Sequence, residues 1–396
     1  MPDTKAALIH QAERLLAAAK DYNGDRKDRV ELMKQTELLH LQLEDPMDSI
    51  QRQWAFMNTA ASLNVMVENS VFAKMPVEGS IKAKDLATEV KLDASVIVRL
   101  MRILVANGIV DETGEDTFAH TDKSRAYLEG SANEYYRLCI NMFQAYLKFP
   151  QYFNTHTAED LIDLRKTPYS YAYDREGLTF YEVLTETRER FNMFNKAMMA
   201  QEASLPTLGM FPFTSLTEQV RQDPTRDFVV DIGGGRGQSL LLIRKETGDL
   251  GAKMILQDRP QVLDSISEAE LPNVEKMAYD FYTPQPIKNA HVYFLRRILH
   301  NYQDDVCIKI LANTAAAMGS TSRLLIGEVV VPTITEVAGD MSAYAMDAVM
   351  IAIGGKERSE KDFSKILQPA GLELVKIWPA SAGNQAIIEA KLKGAS

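Results

Sequence analysis

The sequence predicts an α/β domain with a mainly parallel sheet in its second half, preceded by a helical region that contains a winged helix. Three observations carry this. From residue 227 onward, apolar segments alternate with helical stretches. One of those segments, "FVVDI", breaks into four glycines within five residues, "GGGRG" at 233–237. Residues 82–128 read as helix, turn, helix and two short strands.

At 396 residues the chain exceeds what one core organises well, so more than one domain is expected. Apolar residues make up 46% and charged residues 25%, ordinary values for a globular protein. The 54 acids against 44 bases give a formal charge of −10, which disfavours a nucleic-acid partner. Cys139 and Cys307 are too few for a disulfide framework or a cysteine metal cluster, so no metal is expected. No apolar run approaches 18 residues and no basic-then-apolar leader is present, so the expectation is a cytoplasmic protein off the membrane.

Residues 4–20 and 27–44 carry Ile9, Leu15, Leu16, Leu32, Leu39 and Leu43 at helical spacing. Those faces pack either on their own domain or on a second subunit. In "KAKDLATEVKLDASVIVRLMRILVANGIV", Asp93 suits an N-cap and Gly108 a helix-ending position. "IVDETGEDTFAHT" then forms the wing, turning at Gly114. Arg99 and Arg102 invite a DNA-binding reading, but Asp111, Glu112, Glu115 and Asp116 on the wing would face phosphates, which favours a structural or dimerising role. A helical link over 131–222 follows, and its "RFNMFNKAMMAQEAS" clusters Phe191, Met193, Phe194, Met198 and Met199. Such a stripe packs a core or lines an adaptable apolar pocket. The apolar segments "DFVVDI", "KMILQD", "HVYFLRR", "RLLIGEVVV" and "LELVKIWP" read as strands covered on both faces, and the alternating "QAIIEAKLK" as a C-terminal edge strand.

The glycine turn lacks the Gly-Lys-Ser/Thr ending of a triphosphate loop. Its G-x-G-x-G spacing at Gly233, Gly235 and Gly237 also departs from the dinucleotide G-x-G-x-x-G. Asp231, just before it, would repel a pyrophosphate and suits a cationic ligand instead. S-adenosylmethionine carries an ammonium, a sulfonium and no phosphate, and so matches. Asp258 ends the next strand, 21 residues after Gly237, where a carboxylate accepts ribose hydroxyls. Asp280 and Phe281 follow a third strand-like element, placed for the adenine amino group and ring.

The stretches "VVDIGGGRG", "LQDRPQV", "YDFYTPQP", "YFLRRILHNYQDDVCIKIL", "LLIGEVVVP" and "GGKERSEKDF", in this order, resemble the class I S-adenosylmethionine-dependent O-methyltransferases of the caffeate/flavonoid type, especially their fungal secondary-metabolism branch. The resemblance implies a Rossmann-like domain over 223–396 with an antiparallel C-terminal strand, behind an N-terminal dimerisation domain over 1–130. It implies cofactor contacts at Asp231, Gly233, Gly235, Asp258, Asp280, Phe281 and Arg296, and a general base at His300 flanked by Glu328 and Glu357. Asn195 and Met198, with Phe191 of the same stripe and Arg297, would line the acceptor site. A homodimer and an aromatic or polyketide-type small-molecule acceptor are implied as well.

The chemistry is self-consistent. A phenol attacks a sulfonium methyl best once deprotonated, a neutral imidazole with an ordinary pKa of about 6.5 can take that proton, and a carboxylate on the other ring nitrogen fixes the tautomer. Where the family usually has His-Asp-Trp, this chain has His300-Asn301-Tyr302. Leporin-type pericyclases share the fold and keep the cofactor without transferring its methyl group, so they stand as the alternative function. A regulatory protein with a vestigial pocket is the third reading.

Overall fold

The computed structural model describes residues 4–128, 130–204 and 207–395. Helices Thr4–Lys20 and Arg26–Leu43 pack on each other through the buried Gln11 and Gln35, whose amides hydrogen-bond at 2.8 Å. The 23-residue helix Pro46–Glu68 follows, started by an Asp45 capping box with proline at its first position.

The winged helix forms as expected. Helices Ala83–Glu89 and Ala94–Ala106 meet at a turn, and the Asp93 carboxylate accepts the Ser95 N–H. A short strand that the sequence did not signal, β1 (Ser80–Lys82), joins the wing strands β2 (Val110–Gly114) and β3 (Thr117–His120) in the order β1-β3-β2. Arg102 pairs with the wing's own Glu112 and Asp116, so part of that acidic charge is spent within the motif.

The second half builds a seven-stranded sheet: β4 (Val229–Ile232), β5 (Met254–Asp258), β6 (Glu275–Ala278), β7 (Val292–Arg296), β8 (Arg323–Val329), β9 (Leu372–Pro379) and β10 (Gln385–Leu392), in the order β6-β5-β4-β7-β8-β10-β9. The pairs among β4 to β8 are parallel, whereas β10 runs antiparallel to both β8 and β9. Successive side chains point to opposite faces. Val230, Tyr293, Leu324 and Ile388 pack one way, and Val229, Phe294, Leu325 and Ile387 the other. This is why the strands read as continuous apolar runs.

The edge-strand reading of "QAIIEAKLK" is overturned. β10 lies between β8 and β9, and β9 is the edge. The misleading polar residue is Glu389, which is buried but satisfied by Arg323 and by the Trp378 indole N–H at 2.9 Å. β9 instead carries an edge's charges at Glu373 and Lys376. Ile388→Ala is therefore expected to cost about 2–5 kcal/mol in chemical denaturation. Val375→Ala on β9, 45% exposed, should stay within about 0.5 kcal/mol.

Candidate active site

The C-terminal ends of β4, β7 and β8 open into one cavity of about 1290 Å³. Its floor is the glycine turn after β4. A Cβ on Gly234 would stand 2.4 Å from the Asp231 carboxyl and 2.6 Å from Leu256, so no other residue fits there without displacing the strand. Asp231 is 1% exposed, and neither carboxyl oxygen has a hydrogen-bond partner among the described residues. Burial, reinforced by Asp258, pushes its pKa up to about 7. A buried carboxyl without partners is costly unless something else satisfies it. A ligand ammonium beside the turn would do so.

Of the expected cofactor residues, Asp231, Gly233, Gly235 and Arg296 line the cavity, while Asp258, Asp280 and Phe281 stand beyond its lining. Asp258 accepts the N–H groups of Gly235 at 2.9 Å and Arg259 at 2.7 Å, which fixes the turn to β5. Asp280 accepts the Tyr282 N–H, and Phe281 packs edge-on against Tyr282 and Tyr302.

The catalytic candidates do converge. His300 sits in a single 3₁₀ turn, Leu299–Asn301, just after β7. One oxygen of Glu328, on β8, accepts the N–H groups of Ile298 (3.0 Å), Leu299 (2.9 Å) and His300 (3.4 Å). Its other oxygen lies 3.8 Å from His300 Nδ1, too far for a hydrogen bond. Glu357 is the ring's partner, at 2.8 Å from Nδ1. All three side chains are buried.

The segment carrying Glu357 is held against this turn. The Lys356 N–H donates to the His300 carbonyl at 2.8 Å, and a Cβ on Gly355 would meet that oxygen at 2.3 Å. Arg358, 1% exposed, donates to the carbonyls of Leu299 (3.0 Å) and Tyr302 (2.8 Å) on either side of the histidine, and to Asp304 at 2.7 Å. Asn301 closes the turn onto the carbonyls of Arg297 and Ile298, a role its amide can fill and a carboxylate could not.

Burial sets the charge states. It holds His300 down to about 4, with Glu328 opposing and Arg297 adding to the effect. It pushes Glu357 up to about 8 against the pull of Arg297, and it raises Glu328 too. Divergent shifts among touching groups in a cleft mark a candidate reactive site.

One wall of the cavity is mainly aromatic and thioether. Phe191, Phe194, Asn195, Met198 and Met199 of the helix Arg188–Ser204 reach it, whereas Met193 turns into the core. Sequence reading did not find Tyr135, Met142 and Tyr146 on the helix Ser131–Thr155, or Met346 and Met350 on the helix Met341–Ile353. The four-residue spacings of Met142–Tyr146 and Met346–Met350 were their only signal.

Similarity to known proteins identifies the family. Residues 155–373 match the model of an O-methyltransferase domain, and residues 54–130 that of an O-methyltransferase dimerisation domain. The chain belongs to this O-methyltransferase family. It is 44% identical to the O-methyltransferase hmp5 of Hypomyces subiculosus over the full length of both chains. It is 35% identical to the O-methyltransferase kntB of Aspergillus niger, over 84% of this chain and 81% of that one.

Among solved structures, OxaC in complex with S-adenosylhomocysteine (SAH) and oxaline superposes with a TM-score of 0.84 at 30% identity, covering 98% of this methyltransferase and all of OxaC. LepI in complex with S-adenosylmethionine gives the same score at 23% identity, covering 98% and 99%, a likeness of fold. The methyltransferase is an enzyme of this family with S-adenosylmethionine as its cofactor.

The buried acid makes one outcome measurable. A carboxyl whose folded pKa is raised to about 8 holds its proton where the unfolded chain has released it, so stability falls as pH climbs from the ordinary carboxylate range toward 8. Glu357→Gln cannot ionise and escapes that loss. Its Tm relative to the parent is expected to be more favourable at pH 8 than at pH 5 in thermal unfolding, and the opposite ordering would overturn the assignment.

Proposed function

We propose that the enzyme methylates a hydroxyl of a flat, largely apolar aromatic or polyketide-type molecule, with His300 as general base. The observation that carries this is the buried 2.8 Å contact between His300 and Glu357, in the same cavity as the unpartnered Asp231. In the reactive arrangement Glu357 is ionised, a form that gains population as pH rises toward 8, and His300 Nδ1–H donates to its carboxylate, which leaves Nε2 to accept the proton of the acceptor hydroxyl. The depressed pKa keeps the imidazole unprotonated at neutral pH. Glu357 at 2.8 Å and Glu328 at 3.8 Å stabilise the imidazolium that forms.

S-adenosylmethionine supplies the electrophilic methyl group when bound. Asp231 would hold its ammonium, Gly233 and Gly235 allow close backbone approach, Asp258 would take the ribose hydroxyls, and Asp280 and Phe281 the adenine. Arg296 would complete that set of contacts. Phe191, Asn195 and Met198 would orient the acceptor ring, and orientation supplies much of the rate in a displacement at a methyl carbon.

On this reading residues 1–130 dimerise, 131–222 shape the acceptor site and 223–396 hold the cofactor. Ile50, Trp54, Phe56 and Met57 of the helix Pro46–Glu68 are each more than half exposed, which supports a homodimer that covers them. Light scattering at micromolar concentration should give twice the monomer mass; a monomer would refute this.

His300→Gln is expected to lower kcat by roughly 10²–10⁴ while leaving cofactor affinity near the parent value, read by SAH release and by calorimetry. Unchanged turnover would place the base elsewhere. Product formed without SAH release would favour the pericyclase-type alternative.

A further inference from the structure

The cavity is more cationic than its chain. In a protein of formal charge −10, five arginines line it (Arg26, Arg236, Arg259, Arg296 and Arg297) against three acids, Asp231, Glu328 and Glu357. Burial pushes all three acids toward their neutral forms. One of the arginines, Arg236, is neutralised by Glu270. Another, Arg296, is also engaged.

Arg297 differs. Its side chain lines the cavity and makes no hydrogen bond or ion pair among the described residues. Glu328, Glu357, Tyr135 and Tyr181 are its electrostatic neighbours, which places it between the base and the aromatic wall. Its backbone is also unusual. Arg297 has φ of 57°, a left-handed conformation that costs energy for any residue with a Cβ and persists only when its surroundings impose it. They do: its N–H donates to the Gly327 carbonyl at 3.0 Å, and its own carbonyl accepts from Asn301. A guanidinium presents planar paired donors that match a carboxylate or an ionised oxygen.

We propose that Arg297 is an anion subsite, and that the acceptors of this enzyme carry an ionised oxygen, as a carboxylate or a vinylogous acid, close to the hydroxyl that is methylated. This rests on the methyltransferase reading and narrows its substrate class. The guanidinium would hold the anionic oxygen while His300 Nε2 faces the neighbouring hydroxyl. It would also draw acidic molecules into the cavity of an otherwise acidic protein.

The test is calorimetric and independent of turnover. The full-length protein, saturated with SAH, is titrated with three flat bicyclic probes: 3-hydroxy-2-naphthoate, 2-hydroxy-1,4-naphthoquinone and 2-naphthol. The first two are ionised at neutral pH as a carboxylate and a vinylogous acid, and the third is neutral. At least one anionic probe is expected to bind about 10-fold or more tightly than 2-naphthol, and whichever does identifies the source of the charge. Arg297→Met should erase that preference with SAH affinity unchanged, and Arg297→Gln serves the same purpose if the methionine variant does not bind SAH. Equal affinities for all three probes in the parent protein, or a preference that survives loss of the guanidinium, would overturn the proposal. Failure of the methyltransferase reading would show instead as a parent enzyme that never releases SAH, whatever its probe preference.

Discussion

One carboxyl oxygen organises the reactive end of this sheet. Glu328 Oε1 receives three consecutive backbone N–H groups, those of the turn that carries His300. A short 3₁₀ turn at a strand end has orphan donors and little intrinsic stability, and it is here capped from the neighbouring strand. Because β7 and β8 are paired in register, with Leu295 opposite Ile326 and Arg296 opposite Gly327, the acid and the turn arrive together. The histidine is thereby placed by sheet geometry rather than by loop packing.

The turn is also gripped from below. Arg358 takes the carbonyls on both sides of His300, and Glu357, its chain neighbour, takes the ring. Two adjacent residues on one segment thus fix both the backbone and the side chain of the proposed base. Burying so many ionisable groups is costly, and the shifted proton affinities of His300, Glu357 and Asp231 are the expression of that cost. Fixed and unevenly charged, the rim suits the proposed proton movement at one nitrogen.

Much of this was legible from residue order alone. The strand–glycine turn, the parallel sheet and the winged helix all followed from period and punctuation, and Asp93 capped the helix it was assigned to. What escaped had physical reasons. Glu389 made β10 look half-solvated because sequence cannot show that Trp378 and Arg323 satisfy a buried acid. β1 is three residues long, too short for any periodicity. The helix Pro46–Glu68 carried a clear start signal in Asp45-Pro46 and Asp48, yet its exposed apolar face blurs the usual pattern. The convergence of His300, Glu328 and Glu357 followed from a family resemblance, but the division of labour between the two acids needed coordinates. Tyr135 and Met346 were hidden because cavity walls built from distant helices leave only weak local traces.

The cavity draws its two walls from different parts of the chain. Asp231 and the glycine turn belong to the sheet, whereas Phe191, Met198, Tyr146 and Met350 come from helices outside it. Side chains on those helices can be exchanged without disturbing a strand, and flexible thioethers soften each exchange. Such an architecture lets a lineage diversify what it modifies while inheriting, unaltered, the apparatus that does the modifying.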